Sequence, residues 1–224
     1  MLEFISFGAN WLPELLKGVP VTILLWLIAI SLGFVLGLAL SWARIYGNRP
    51  LYWLSTAYVE LFRGTPMLIQ MFFIYLGLPQ VGIVFDAFTA AVIAITLNSA
   101  AYQAEYFRGS ILSVPQGQMT AARACGMTQW QAIRCILLPQ ALRRVIPQWS
   151  NEAIIELKFT SIAYTIGVVE ITSIASDIGS RTLNFFQIFL LAGIIYLLLT
   201  SGVASFLDWL GRRYYVPGVT SAES

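Results

Sequence analysis

The chain has 224 residues, of which 58% are hydrophobic and 11% charged, with a net charge of +2. A soluble domain carries roughly 45–50% apolar and about 25% charged residues, so a water-soluble globule is excluded and lipid is the solvent that accommodates the excess. The charge is too small to imply a nucleic-acid partner. With no histidine and only Cys125 and Cys135, a His-based triad cannot be built and no metal site is expected.

Residues 1–18 carry Glu3, Glu14 and Lys17 rather than a basic n-region, so they do not read as a secretory signal. The first span is predicted over 19–43, a charge-free run long enough to cross about 30 Å of hydrocarbon. In 51–78 the first half contains Glu60, Arg63 and Pro66 and the second is apolar but short, which reads as an interfacial or broken segment leading into a span, with re-entry as the competing view. A third span is predicted over 85–107, turning polar at Asn98, Tyr102, Gln103 and Glu105. Residues 108–144 form the longest polar stretch. A fourth apolar region, 145–176, is interrupted by Glu152, Glu156 and Lys158, and a kink or break is expected near Lys158–Ser161. The fifth span is predicted over 185–208, followed by a soluble tail from Gly211.

Five spans put Arg44, Arg49, Arg63, Arg108, Arg123, Arg134, Arg143, Arg144, Arg212 and Arg213 on one side, and only Lys17 and Arg181 on the other. The arginine-rich side is cytosolic by the positive-inside rule, which predicts an external N-terminus and a cytosolic C-terminus. Both cysteines then lie on the reducing side, where a structural disulfide is not expected.

The polar stretch has internal order. A helical pattern from Met119 to Cys125 stops at Gly126, which suits a left-handed cap. Thr128 can cap a second helix, Gln129 to Leu138, expected to end at Pro139. Small residues Ala121, Ala122 and Ala124 permit close approach. A structured loop with exposed apolar groups reads either as a connector between spans or as a docking surface.

The spacing of Ala121-Ala122, Gly126, Ile136 and Leu138-Pro139 resembles the EAA loop of ABC importer permeases, in which Glu-Ala-Ala is followed after three residues by Gly, after nine by Ile and then by Leu-Pro. Thr120 stands where that family usually has Glu, which puts one polar contact to the ATPase in doubt. Phe62-Arg63-Gly64-Thr65-Pro66, Asn98-Ser99-Ala100-Ala101-Tyr102 and Ser150-Asn151-Glu152 resemble the polar amino acid branch, and the likeness extends from about 13 to 213.

The resemblance implies an all-α type I importer transmembrane domain, a single domain over 1–224 with its core at 19–212 and a cytosolic coupling loop at 115–139. It implies a bacterial inner-membrane location and a second permease, identical or related. Of two separate ATP-binding cassette subunits, one would dock at Thr120, Ala121, Ala122, Arg123, Gly126, Ile136, Leu138 and Pro139, and an extracytoplasmic solute-binding protein would deliver an amino acid. ATP belongs to the partner, since the chain has no GxxxxGK[ST] sequence; no cofactor and no catalytic residue are expected. ATP-driven closure would swing the spans between inward- and outward-facing states.

Ionisable residues at membrane depth are functional candidates, although such groups also simply hold helices together. Glu105, Glu152, Glu156 and Lys158 qualify, and Glu156 and Lys158, two apart, face different sides of a helix and are not expected to pair. The candidate solute path adds Thr160, Ser161, Asn98 and Tyr102, and Arg63, Gly64, Thr65 and Pro66 form a candidate gate or a plain entry turn. Glu152 in Ser-Asn-Glu, with Lys-x-Thr-Ser beyond it, resembles the branch handling arginine, lysine, histidine or ornithine, whereas Glu156 replaces that branch's usual aliphatic residue. A cavity carboxylate would favour a cationic side chain. The alternatives are another polar amino acid (glutamine, glutamate, cystine) or a secondary transporter, for which no internal repeat is seen. A channel or scaffold subunit is a further alternative, and a membrane enzyme lacks any nucleophile–base set.

Overall fold

In a computed structural model of the protein, residues 10–213 are described; the expected soluble tail beyond Arg213 and the residues before Asn10 lie outside them. The described residues contain helices and turns and no strand. Helix continues from Asn10 through a 3₁₀ turn at Leu16–Gly18 into α1 (Val19–Tyr46). Asn48 then caps α2 (Arg49–Gly64), accepting from the Leu51 amide at 3.1 Å, with Pro50 in the first turn.

Pro66 has no amide hydrogen and forces Thr65 into extended backbone (φ −118°, ψ 144°), which ends α2. The chain turns by 108° into α3 (Met67–Phe72), a π-turn at Phe73–Gly77 and a 3₁₀ turn at Leu78–Val81. The segment 51–78 is therefore a sharply bent pair. α4 (Ala87–Leu112), capped by Asp86, is the most buried of the long helices. α1 lies along it because Gly33 and Gly37 present no side chain there, with Ser99, Ala100, Gln103 and Ala104 opposite.

The polar stretch folds into α5 (Gln116–Ala124) and α6 (Gln129–Ala132). Gly126 sits at φ +85° between them, the left-handed conformation in which a side chain is penalised. Thr128 and Gln131 form a reciprocal capping box.

The second helix does not end at Pro139, contrary to the sequence expectation. A π-turn at Ile133–Leu137 carries it directly into α7 (Leu138–Phe159), with Pro139 in the first turn. The local π adjustment in the turn before Pro139 accommodates its ring and missing amide.

Within 145–176 the break expected near Lys158–Ser161 is present. α7 begins seven residues earlier, at Leu138, and ends at Phe159; Thr160–Ile166 winds as 3₁₀ and Gly167 (φ +93°) closes it. A separate helix, α8 (Ile171–Thr182), follows, and α9 (Phe185–Arg213) ends the described chain.

Among the described residues, three helical stretches are long and apolar enough to cross a membrane: Asn10–Tyr46, Ala87–Leu112 and Phe185–Arg213; the bent pair makes a fourth if it is one span. α7 fails that test because Arg143, Arg144, Glu152, Glu156 and Lys158 interrupt it. One core cluster joins α1, α3 and α4 around Leu25, Met71, Ala91 and Ile95, and another joins α8 to α9 around Ile171, Ile178 and Ile188.

Candidate functional site

The polar centre is built on α4. The Asn98 amide donates to the Phe62 carbonyl (3.1 Å) and to Gln70 Oε1 (3.0 Å). Gln70 Nε2 donates in turn to the carbonyls of Phe62 (2.8 Å) and Thr65 (3.0 Å) and to Thr65 Oγ1 (2.8 Å). The Arg63–Pro66 turn is thus pinned from two helices. Asn98, expected on the solute path, spends its donor capacity on that turn. Gln70 went unremarked in the sequence, though one amide in the apolar run 67–78 is the signal that marks it.

Arg63 lies over the Tyr102 ring, 5.4 Å from its centroid. One turn further along α4 the Tyr106 hydroxyl donates to Glu152 Oε2 at 3.3 Å, and Arg63 and Tyr102 are both within its electrostatic reach. The structure therefore brings Arg63, Tyr102 and Glu152 onto one face, joined by Tyr106.

Glu156 turns inward instead and is 1% exposed. Trp149 Nε1 donates to Gln103 Oε1 (2.8 Å), Gln103 Nε2 donates to Ser99 Oγ (2.9 Å), and Ser99 Oγ donates to Glu156 Oε2 (2.9 Å). Because Ser99 accepts from Gln103, its own proton is directed at the carboxylate. Glu156 Oε1 has no hydrogen-bond partner. Among the described residues neither Glu152 nor Glu156 has an arginine or lysine in ion-pair range.

Other candidates fall elsewhere. Lys158 is exposed and apart from both carboxylates. Thr160 and Ser161 donate to the carbonyls of Leu157 and Lys158, both at 2.7 Å, and so close the end of α7. Glu105 is paired with Arg44 and Arg108, tying the ends of α1 and α4. Glu170, which the sequence reading passed over, is fully buried. It caps α8 through the Thr172 and Ser173 amides (2.9 Å each) and accepts from the Tyr196 hydroxyl at 2.5 Å.

At the other end, Ile111, Val114, Ile133, Leu137 and Ala141 form a small core with Trp42, Met119 and Leu138 against it. Ala122 is buried and Ile136 partly so, whereas Thr120, Ala121, Arg123, Gly126 and Pro139 are exposed. Thr120 Oγ1 donates back to the Gln116 carbonyl (3.3 Å) and Arg123 to that of Met127 (3.1 Å). Trp130 stacks on Trp42 of α1, with centroids 5.8 Å apart and planes at 16°. Cys125 and Cys135 are both free.

Residues 29–215 match the family described as "Binding-protein-dependent transport system inner membrane component", and the chain belongs to that family.

Within it the relatives are narrower in kind. The chain is 42% identical to the octopine transport system permease protein OccM of Rhizobium radiobacter (87% of this chain, 84% of that protein). It is 36% identical to the glutamine transport system permease protein GlnP of Escherichia coli K12 (93% and 97%) and to the arginine transport system permease protein ArtQ of Bacillus subtilis (84% and 86%). A crystal structure of an amino acid ABC transporter with histidines superposes with TM-score 0.88 at 35% identity, covering 94% of this chain and 98% of that one. The methionine transporter MetNI superposes at 0.79 and 22% identity, a likeness of fold. The chain is a permease subunit of an amino acid ABC importer, with the type I importer permease fold. It is the transport component and not the ATPase, and permeases of this class work with ATP-binding partners and a substrate-binding protein.

Proposed function

We propose that the chain forms half of the translocation path for a cationic amino acid, with Glu152 receiving the solute's positive side chain. The observation that carries this reading is a buried carboxylate that accepts from the Tyr106 hydroxyl and, among the described residues, has no ion pair. Burying a carboxylate without a counter-charge is costly, so a site of this kind favours a ligand that supplies one. Arg63, on the same face across Tyr102, offers the opposite charge for the solute's α-carboxylate. Glu156 lies one helical turn from Glu152, on the interior side. The relative named for arginine transport supports the cationic reading.

Five spans with an external N-terminus accommodate the arginine asymmetry. In that arrangement the whole chain is one transmembrane domain in a bacterial plasma membrane. The exposed residues Thr120, Ala121, Arg123, Gly126 and Pro139 meet one of two ATP-binding subunits, with Ala122, Ile136 and Leu138 shaping the surface beneath. Arg63–Pro66 serves as the gate, and a second permease, identical or related, supplies the other half of the path.

The test is ATP-dependent uptake by the reconstituted complex of arginine, lysine, histidine, ornithine, glutamine, glutamate and cystine. A charge-assisted contact is worth about 1.5–3 kcal/mol, so Glu152→Gln should lower cationic uptake roughly ten- to hundredfold while the ATPase stays bound. Unchanged arginine uptake by Glu152→Gln, or a wild-type preference for glutamine, overturns the cationic assignment. Failure of the purified chain to bind an ATPase subunit overturns the docking assignment.

A further inference from the structure

A groove of about 570 Å³ runs between α1, α7 and α9, walled by Trp26, Phe34, Trp149, Gly202, Val203 and Phe206. Both indole N–H groups turn into the protein, Trp26 to the Ala153 carbonyl and Trp149 to Gln103, each at 2.8 Å. The two tryptophans therefore show the groove ring carbon. A side chain at Gly202 would meet nothing within 4 Å, so the groove is open there.

The α9 wall continues as a ladder. Gly202, Phe206, Trp209 and Arg213 recur at intervals that fall on one helix face. Phe206 and Trp209 stack with centroids 6.1 Å apart, and the Arg213 guanidinium lies over Trp209 at 6.0 Å. From Gly202 to Arg213 the helix rises about 16 Å, close to half of the roughly 30 Å hydrocarbon layer. The groove, the ring stack and the guanidinium together have the depth of one leaflet. Asp208 lies off this stripe, on the side of Arg212 four residues on.

We propose that the groove holds an acyl chain of an anionic phospholipid whose phosphate is taken by Arg213. The stacked ring fixes one face of the guanidinium and leaves its N–H edge for phosphate oxygens. The charge at the end of the ladder is what selects an anionic headgroup, and the assignment is independent of which amino acid is carried.

The experiment is native mass spectrometry of the assembled complex after washing in detergent containing equal phosphatidylglycerol and phosphatidylcholine. A single arginine near an anionic surface should give about a fivefold preference, so wild type should retain phosphatidylglycerol over phosphatidylcholine by about that factor. Arg213→Gln should still retain lipid but without the preference. Gly202→Leu, which fills the open floor, should lose the bound lipid while its melting midpoint holds; should it fail to fold, Arg213→Gln decides alone. Equal retention of both lipids by wild type, or an unchanged preference in Arg213→Gln, overturns the proposal. So does a disulfide between two copies formed through Phe206→Cys with Cys125 and Cys135 replaced, which would place a second chain over the groove.

Discussion

Three glycines give a graded test of how closely the helices are packed. A Cβ placed on Gly18 would lie 2.5 Å from the Ile171 amide nitrogen and 2.7 Å from the Glu170 carbonyl carbon, where ordinary contact begins at 3.4 Å. Those atoms are backbone at the start of α8 and cannot swing aside. On Gly37 the Cβ would meet Gln103 Cβ at 2.9 Å and the Ala100 carbonyl at 3.0 Å, a mixture of side chain and backbone. On Gly33 the nearest atoms are Gln103 Nε2 (2.9 Å), Ser99 Oγ (3.0 Å) and Ser99 Cβ (3.1 Å), and the first two are ends of side chains that can turn. Overpacking costs about 1–3 kcal/mol, and alanine returns about 1 kcal/mol over glycine inside a helix. Gly18→Ala should therefore lose roughly 2 kcal/mol, Gly37→Ala about 1, and Gly33→Ala less than about 1. Gly33→Ala carries a second signature, because turning Gln103 or Ser99 breaks the relay into Glu156. The unfolding midpoints of the purified complex, measured side by side, read the order. A Gly18→Ala protein as stable as wild type, or Gly33→Ala as the worst of the three, refutes the packing argument.

The other predictions concern caps. Thr128→Ala removes half of the capping box and should cost about 1 kcal/mol, read as roughly fivefold faster amide exchange at 129–132 with the transmembrane helices unchanged. Glu170→Ala leaves the partly buried Thr172 and Ser173 amides without their acceptor and the Tyr196 hydroxyl with only the Thr172 hydroxyl, and should destabilise by about 2 kcal/mol or more, whereas Tyr196→Phe should cost about 1; equal losses in the thermal melt would contradict that accounting. Thr89, through its side chain first and its amide second, holds the Asp86 carboxyl below the usual aspartate range. A lowered folded-state value contributes stability above the unfolded pKa of about 3.9 that is lost as pH falls through the folded value. Wild-type and Asp86→Asn midpoints should thus keep a constant separation down to about pH 4, with wild type losing ground below it.

The uninterrupted runs were legible in the sequence because nothing competes with an apolar helix in lipid: α1 and α9 extend the predicted spans by only a few residues. Gly126 and Thr128 were legible because backbone sign and capping are local. Pro139 misled because a proline ends a helix only when the preceding turn cannot adapt, and here the π-turn at Ile133–Leu137 adapts. The break near Lys158–Ser161 was legible because 145–176 is too long for one simple span; that a separate α8 follows was not, and Gly167 marks its approach. At the site, Glu152, Tyr102 and Arg63 were named from their chemistry, but their convergence needs three helices in register. Asn98 and Glu156 show what sequence spacing leaves open: the former binds a turn, the latter an interior serine. Gln70, Tyr106 and Trp149 escaped notice because each is unremarkable until its partner, up to 46 residues away, is known.

The π-turn at Ile133–Leu137 also makes orientation a matter of counting. One residue more or less in a helix rotates everything before it by about 100°. Deleting Cys135, an exposed residue in no disulfide, would leave Thr120 through Gly126 unchanged in identity and aim them at a different quarter of the compass. The direction in which this loop faces its surroundings is stored as a length of chain, so an alignment of residue types alone would miss its loss.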